Sequence, residues 1–170
     1  RSRRLFTARK ELARPNDVQL SATQAYGVIP QDEFERRVGR RVVKISMHLD
    51  KRKHVERDDF VMSMRSFQGG LERAWAKGAI RSSYVILRPS DSVVVDFFTY
   101  VLKSRGYIGA LQCTADFIRD GQDLTEANFR EVDLPLPPRT EQAQIAEHIE
   151  QATSRLIDDA SRLQREIELL

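Results

Sequence analysis

Apolar residues in the last part of the chain recur at a spacing that only a helix explains. Ile145, Ile149, Ala152, Leu156, Ala160, Leu163, Ile167 and Leu170 follow one another at intervals of 4-3-4-4-3-4-3, which places all eight on one face. Neither Gly nor Pro interrupts the run from Glu141 to Leu170. The pattern predicts a single helix over residues 141–170, roughly 44 Å long at ~1.5 Å per residue. Just upstream, Leu134-Pro135-Leu136-Pro137-Pro138-Arg139-Thr140 reads as a stiff extended strap over residues 134–140. Proline donates no backbone hydrogen bond and keeps the residue before it out of the helical region. Thr140 or the residue before it caps the helix that follows.

Ile149, Leu156, Leu163 and Leu170 keep a seven-residue repeat, but Asp159 and Glu166 stand where their companions belong. The companions shift to Ala160 and Ile167, so the seam drifts around the helix, as in a nearly straight rod. Such a helix either packs on its own domain or meets another chain. It is longer than a domain formed by residues 1–133 would cover, so the eight stripe residues are predicted to be a dimer interface.

Upstream the periods are shorter. Val18 to Ser21, Ala25 to Pro30, Arg40 to Leu49, Phe60 to Met64 and Ser83 to Leu87 read as strands, while residues 1–14 read as a helical turn or a basic arm. Ser66 to Gly70 forms a loop, since paired glycines reach backbone angles that other residues avoid. Val95 to Ser104 puts Phe97, Phe98, Val101 and Leu102 on one helical face, with Gly106 as the stop; Ile108 to Phe117 is a second short helix, and Thr125 to Phe129 a capped third. Strands first and helices after predict an α+β domain carrying a long C-terminal coiled-coil helix.

Composition adds one feature the periodicity does not show. Residues 1–90 hold 20 Lys/Arg and 10 Asp/Glu, whereas residues 91–170 hold 8 and 15. A net charge of +3 therefore conceals a basic half suited to a polyanion and an acidic helical half. The single cysteine, Cys113, excludes an internal disulfide and is expected as a small buried hydrophobe. No apolar run reaches the ~18 residues of a membrane span, and nothing resembles a signal peptide. A cytoplasmic protein is predicted, and the start at Arg1 is that expected of a trimmed chain.

The residue types that carry catalysis do not converge. His48, His54 and His148 lie at unrelated positions, and the carboxylate pairs Asp58-Asp59 and Asp158-Asp159 are adjacent and so diverge. There is no Gly-rich phosphate loop with its lysine. The basic half offers a DNA-binding surface instead. Arg65, Ser66, Gln68, Gly69, Gly70, Arg73, Lys77 and Arg81 cluster around the glycine break. Arg and Gln suit bidentate contacts with guanine and adenine edges, and Ser66 and the loop amides suit phosphate. Lys44, Lys51, Arg52, Lys53 and Arg57 form a second group fitted to neutralise backbone charge. Phe67 and Trp75 are expected in the core.

Two stretches resemble the specificity subunits of type I restriction-modification systems. Phe60-Val61-Met62-Ser63-Met64-Arg65-Ser66-Phe67-Gln68-Gly69-Gly70-Leu71 with Ile80 to Pro89 is similar to the family's target-recognition domain, and Leu134 to Ala146 resembles the strap and opening of its conserved-region helix. Leu5-Phe6-Thr7 through Gly27-Val28-Ile29-Pro30 is similar too. The resemblance implies a non-catalytic subunit that recognises double-stranded DNA. It implies that methylation with S-adenosylmethionine belongs to a modification subunit and cleavage to a restriction subunit, this chain holding no cofactor. Family members carry two recognition domains and two antiparallel helices, so one domain and one helix correspond to a half-length form, natural or a fragment. Two copies pairing as a homodimer would restore the architecture and read a bipartite site. A structural coiled-coil or protein-interaction module is the alternative from another class, and an RNA-binding domain the third.

Overall fold

The computed structural model describes residues 2–41, 51–63, 70–114 and 125–168. Its strands are β1 (Phe6–Ala8), β2 (Leu20–Thr23), β3 (Gly27–Pro30), β4 (Lys53–Val55), β5 (Phe60–Ser63), β6 (Glu72–Arg73), β7 (Gly78–Ile80) and β8 (Tyr84–Pro89). The helices are α1 (Gln31–Val38), α2 (Val95–Val101), α3 (Arg105–Cys113), α4 (Glu126–Glu131) and α5 (Arg139–Glu168), with a 3-10 turn at Ser2–Arg4. The class is α+β, with the long C-terminal helix in place.

An antiparallel sheet in the order β1-β8-β5-β6 forms the centre. Alternate side chains leave its opposite faces, and both faces are covered. Phe60 and Met62 of β5 and Leu87 of β8 join the helical cluster with Phe98, Leu102, Leu111 and Phe129. Val61 and Ile86, their neighbours in sequence, join a second cluster with Leu20, Val28, Val55 and Ile80 from the β2–β3 hairpin and the β4–β7 ribbon. A strand buried on both sides reads as a continuous apolar run, which is why Phe60-Val61-Met62 was legible.

The first fourteen residues are not an arm. Leu5 and Phe6 are buried, and β1 forms the sheet's edge beside β8. The Phe6 ring stands edge-on to Phe60, Phe98 and Phe129 at 5.7, 5.4 and 5.6 Å, the arrangement that aromatic quadrupoles favour. Arg9 then grips the buried Asp59 through Nε–Oδ2 at 2.6 Å and Nη2–Oδ1 at 3.1 Å. The Asp59 carboxylate holds the Arg9 pKa above its ordinary value against the opposing effect of burial. Ser2 Oγ donates to the Phe129 carbonyl at 2.6 Å, tying the beginning of the chain to α4.

The other departures have local causes. The helix α1 was not anticipated; it follows Pro30, has Asp32 and Glu33 in its first turn and Arg36 and Arg37 in its last, and ends at Gly39 with φ of 70°. Gly106 does not stop α2 but lies in the first turn of α3, because the Ser104 hydroxyl accepts from the Tyr107 amide and caps that helix. Cys113 is exposed, since it ends α3 on the side away from buried Leu111 and Tyr107. Trp75 is 43% exposed rather than core. Of the strand read over residues 40–49, only Arg40 and Arg41 lie within the described residues.

One glutamine secures α5 to this body. Gln142 is fully buried; its Nε2 donates to the Ser92 and Pro137 carbonyls at 3.1 and 2.8 Å, and its Oε1 accepts from the Val94 amide at 2.8 Å. Arg139 adds donations to the Asp91 and Val93 carbonyls. Ala146 is buried in the helical cluster and Ile145 packs against it. From Glu150 to Glu168 every residue is exposed.

Candidate nucleic-acid interface

The two arginine-lined concavities of the head adjoin a segment that is neither helix nor regular strand. Residues 11–19 run along the β4–β7 ribbon, with Ala13 N donating to Arg52 O, His54 N to Glu11 O and Ala79 N to Val18 O at 2.8–2.9 Å. This approach depends on Gly78, since a Cβ there would lie 2.3 Å from the Val18 carbonyl oxygen. His54, buried beneath the segment, holds it from below. Its Nδ1 is 2.7 Å from Asp17 and its Nε2 2.9 Å from Glu56. Burial disfavours the charged imidazole, but the two carboxylates outweigh burial and raise the His54 pKa.

Two concavities open on this side, of about 340 and 260 Å³. Gln19 and Arg52 line both, so the two form one trough. Arg14 and Asp17 lie at one end; Ser21, Gln31, Arg81 and Tyr84 lie at the other. Arg52 itself is buried at 5% exposure while Arg81 is exposed.

The candidate DNA contacts fall into three groups. Lys51, Arg57, Lys77 and Arg81 are exposed. Lys53, Arg73 and Gly70 are engaged within the fold. Lys53 Nζ donates to the Tyr84 carbonyl at 2.7 Å. Arg73 pairs with Asp58 at 2.7 Å and Asp96 at 2.5 Å and lies 4.2 Å over the Trp75 ring. Gly70, with φ of 79°, sits where a Cβ would be 2.2 Å from the Leu102 carbonyl oxygen. Lys44, Arg65, Ser66, Gln68 and Gly69 lie outside the described residues, as do Phe67 and His48. Arg52 was read with its lysine neighbours as one charge among several; its burial and its place in the trough distinguish it, and only the strand register of the folded chain reveals that.

The stripe on α5 divides at Ile149. Ile145 packs on the helical cluster and Ile149 lines an apolar groove of about 400 Å³ with Tyr100, Tyr107, Leu134 and Pro135. Beyond it, Ala152, Leu156, Ala160, Leu163 and Ile167 are exposed, Leu156 at 69%, Leu163 at 59% and Ile167 at 64%; Leu170 lies outside the described residues. Among those residues no three His, Cys, Asp or Glu side chains are placed to hold a metal ion, and no helix is long and apolar enough to cross a membrane.

No protein-family model matches the chain and no curated protein matches it significantly. Solved structures do. The chain superposes over 99% of its length, with a TM-score of 0.62 and 17% identity, on a chain from a study of complex assembly and conformational transition in the type I R-M system. It superposes over 91% of its length, with a TM-score of 0.54 and 16% identity, on the HsdS subunit from Thermoanaerobacter tengcongensis. This chain has the HsdS fold. It spans only 40% and 36% of those two chains. The resemblance seen in the sequence implied this fold.

Proposed function

We propose that this chain is a half-length specificity subunit of a type I restriction-modification system, which recognises double-stranded DNA and performs no chemistry itself. The observation that carries the reading is the superposition on a chain from the type I R-M system across 99% of this chain. The basic trough beside β4 and β7 supports it, because phosphate neutralisation supplies much of the affinity of any duplex-binding protein. Two copies pair through the exposed seam from Ala152 to Ile167 and present two recognition domains to a bipartite site. A modification subunit using S-adenosylmethionine and a restriction subunit act at the site so chosen, in the cytoplasm.

Methylome mapping after co-expression with the cognate modification subunit tests the reading. The expected result is methylation at one bipartite motif, lost when this chain is omitted. Unchanged methylation without the chain would remove the specificity role and leave a helical interaction module. Within the reading, Gln68 chooses bases and Lys51 holds phosphate. Gln68→Ala is expected to cost about 1–3 kcal/mol on the matched duplex only, whereas Lys51→Ala weakens all duplexes alike and lowers the salt slope by about one. Binding to matched and mismatched duplexes across salt separates the two, and equal losses for Gln68→Ala on both would take it out of the reading set.

A further inference from the structure

The two flanks of the α5 stripe are not alike. Helical residues advance by about 100° each, so from Ile145 to Ile167 the stripe keeps within about 40° of Leu156. At about 60–100° to one side of it stand His148, Arg155, Asp159 and Glu166, and at similar angles to the other stand Thr153, Ile157 and Gln164. All of these are exposed. One flank thus carries charges of both signs and the other carries none. At the root of the seam, Ile149 lines the apolar groove of about 400 Å³ with Tyr100, Tyr107, Leu134 and Pro135. We propose that a second copy of this chain lies antiparallel on α5 about a two-fold axis at the level of Asp158, with its Ile167 against Ile149 over this groove. The assignment rests on the homodimer reading above and adds the register and the seat of the helix end.

Size and charge select the same register. With Ile167 opposite Ile149, Ala152 meets Leu163 and Ala160 meets Leu156, a small residue against a large one in each inner layer. A parallel pair in register would instead stack Ala on Ala and Leu on Leu. A two-fold between antiparallel helices also turns each flank toward its own copy, whereas a parallel pair turns it toward the opposite flank. In the antiparallel pair Arg155 therefore faces Asp159 and His148 faces Glu166, each twice by symmetry. Parallel helices would set the same four residues against Thr153, Ile157 and Gln164. Glu166 is paired with Arg162 of its own helix at 3.1 Å, but exposed pairs of this kind hold little energy and can be shared. Asp159 and Glu166, the acids that break the seven-residue repeat, so become partner contacts. Asp158 lies on the far side of the helix and does not face its own copy.

Cysteine cross-linking reads the register. In a Cys113→Ser background, which removes the exposed native thiol, copies carrying Ile149→Cys are mixed with copies carrying Ile167→Cys and oxidised. A disulfide dimer is expected from the mixture only, because like positions lie roughly 27 Å apart at ~1.5 Å per residue, beyond disulfide reach. Cross-linking of either variant alone would mean parallel helices and overturn the proposal. Charge reversal is the second measure. Arg155→Glu copies and Asp159→Arg copies each repel themselves in this register, and native mass spectrometry should find them pairing with one another roughly tenfold above chance. Contacts within each helix do not change on mixing, so the preference reports on the partner. A natural chain that sediments as a dimer, with neither the mixed disulfide nor this preference, would overturn the register and leave the homodimer reading intact. A monomeric natural chain would overturn both, with DNA recognition still decided by the methylome. Arg155 and Asp159 are exposed, so their variants carry the test even if Ile149→Cys disturbs the groove.

Discussion

The two halves of α5 share one apolar stripe and put it to opposite use. Between Arg139 and Ile149 the stripe is consumed by the domain: Ala146 is buried, Ile145 packs on the helical cluster, and Gln142 fills the polar end of the joint. Between Glu150 and Glu168 the same stripe continues, with Leu156, Leu163 and Ile167 largely exposed. Periodicity therefore says that a helix has an apolar side, but not what covers it. The difference lies in the strap. Pro135, Pro137 and Pro138 bring the chain to α2 at one fixed place, and a helix of 30 residues then leaves the domain after about three turns.

The sharpest way to break the comparison is a carboxylate in each half. Ala146→Asp buries an unpaired charge in the helical cluster and is expected to cost on the order of 3–5 kcal/mol, a large share of a typical domain's 5–15. Urea denaturation measures it; a loss below ~1 kcal/mol would mean that the docked turns do not contribute to the domain. In the projecting half, Leu156→Asp with Leu163→Asp should leave the stability of the monomer within about 0.5 kcal/mol, since both sites are exposed. Self-association should fall by at least about a hundredfold, roughly 2.7 kcal/mol. Sedimentation reads this directly, and a double variant that sediments as the same dimer would place the interface elsewhere.

Gln142→Ala tests the joint itself. The change removes three hydrogen bonds and leaves the Val94 amide without its acceptor at the start of α2. A buried group left unsatisfied costs about 1–3 kcal/mol. Amide exchange at Val94 should quicken along with the first turns of α5, while the central β5–β8 pairing keeps its protection. Uniform loss of protection over the whole domain would show instead that strap and sheet unfold as one unit.

How far these features were legible depended on whether a residue's fate was set locally. The long helix, β5 and β8 follow from apolar runs, and the strap from proline chemistry as far as Pro138. The helix α5 already begins at Arg139, two residues before the predicted start, so Arg139 and Thr140 belong to the helix and not to the strap or its cap. The cap of α4 was legible as well, since Thr125 and Asn128 satisfy each other's backbone groups three residues apart. The two- and three-residue strands β1, β4, β6 and β7 carry too few positions for a period, and pairing across the sheet defines them. The helix α1 did have signals, proline before it, acids then bases along it and glycine after it, and these outweigh its lack of a strong apolar stripe. The candidate site was legible as a charge excess and no further. Lys51, Arg52 and Lys53 are three consecutive cations, yet the first is exposed, the second buried in the trough and the third tied to the Tyr84 carbonyl. The β4 register makes that distinction.

The smallest effect separates head from rod by pH. The head contains His54, fully buried, facing Asp17 and Glu56, with Arg14 3.6 Å from the Glu56 carboxylate. Burial and Arg14 oppose the imidazolium, but the hydrogen bonds it donates to Glu56 and Asp17 prevail and raise its pKa above the ordinary 6.5. Below that ordinary value the folded and unfolded chains both carry the proton, and the ion pairs contribute in full. Between 6.5 and the raised value only the folded chain binds it, so stability falls as pH rises, and above the raised value the contribution is gone. On the acid side the order reverses: hydrogen bonding to His54 lowers the Glu56 pKa, so the Glu56 contribution is lost as pH falls through its lowered value. Urea midpoints of the head should therefore decline from pH 6.5 upward in the natural chain, and His54→Asn should remove the decline over that window while lowering stability below it. A midpoint as pH-dependent in His54→Asn as in the natural chain would assign the effect to another group. The association measured for the Leu156 and Leu163 seam should be unaffected by His54→Asn, because residues 11–19 and β4, which surround that histidine, make no part of α5.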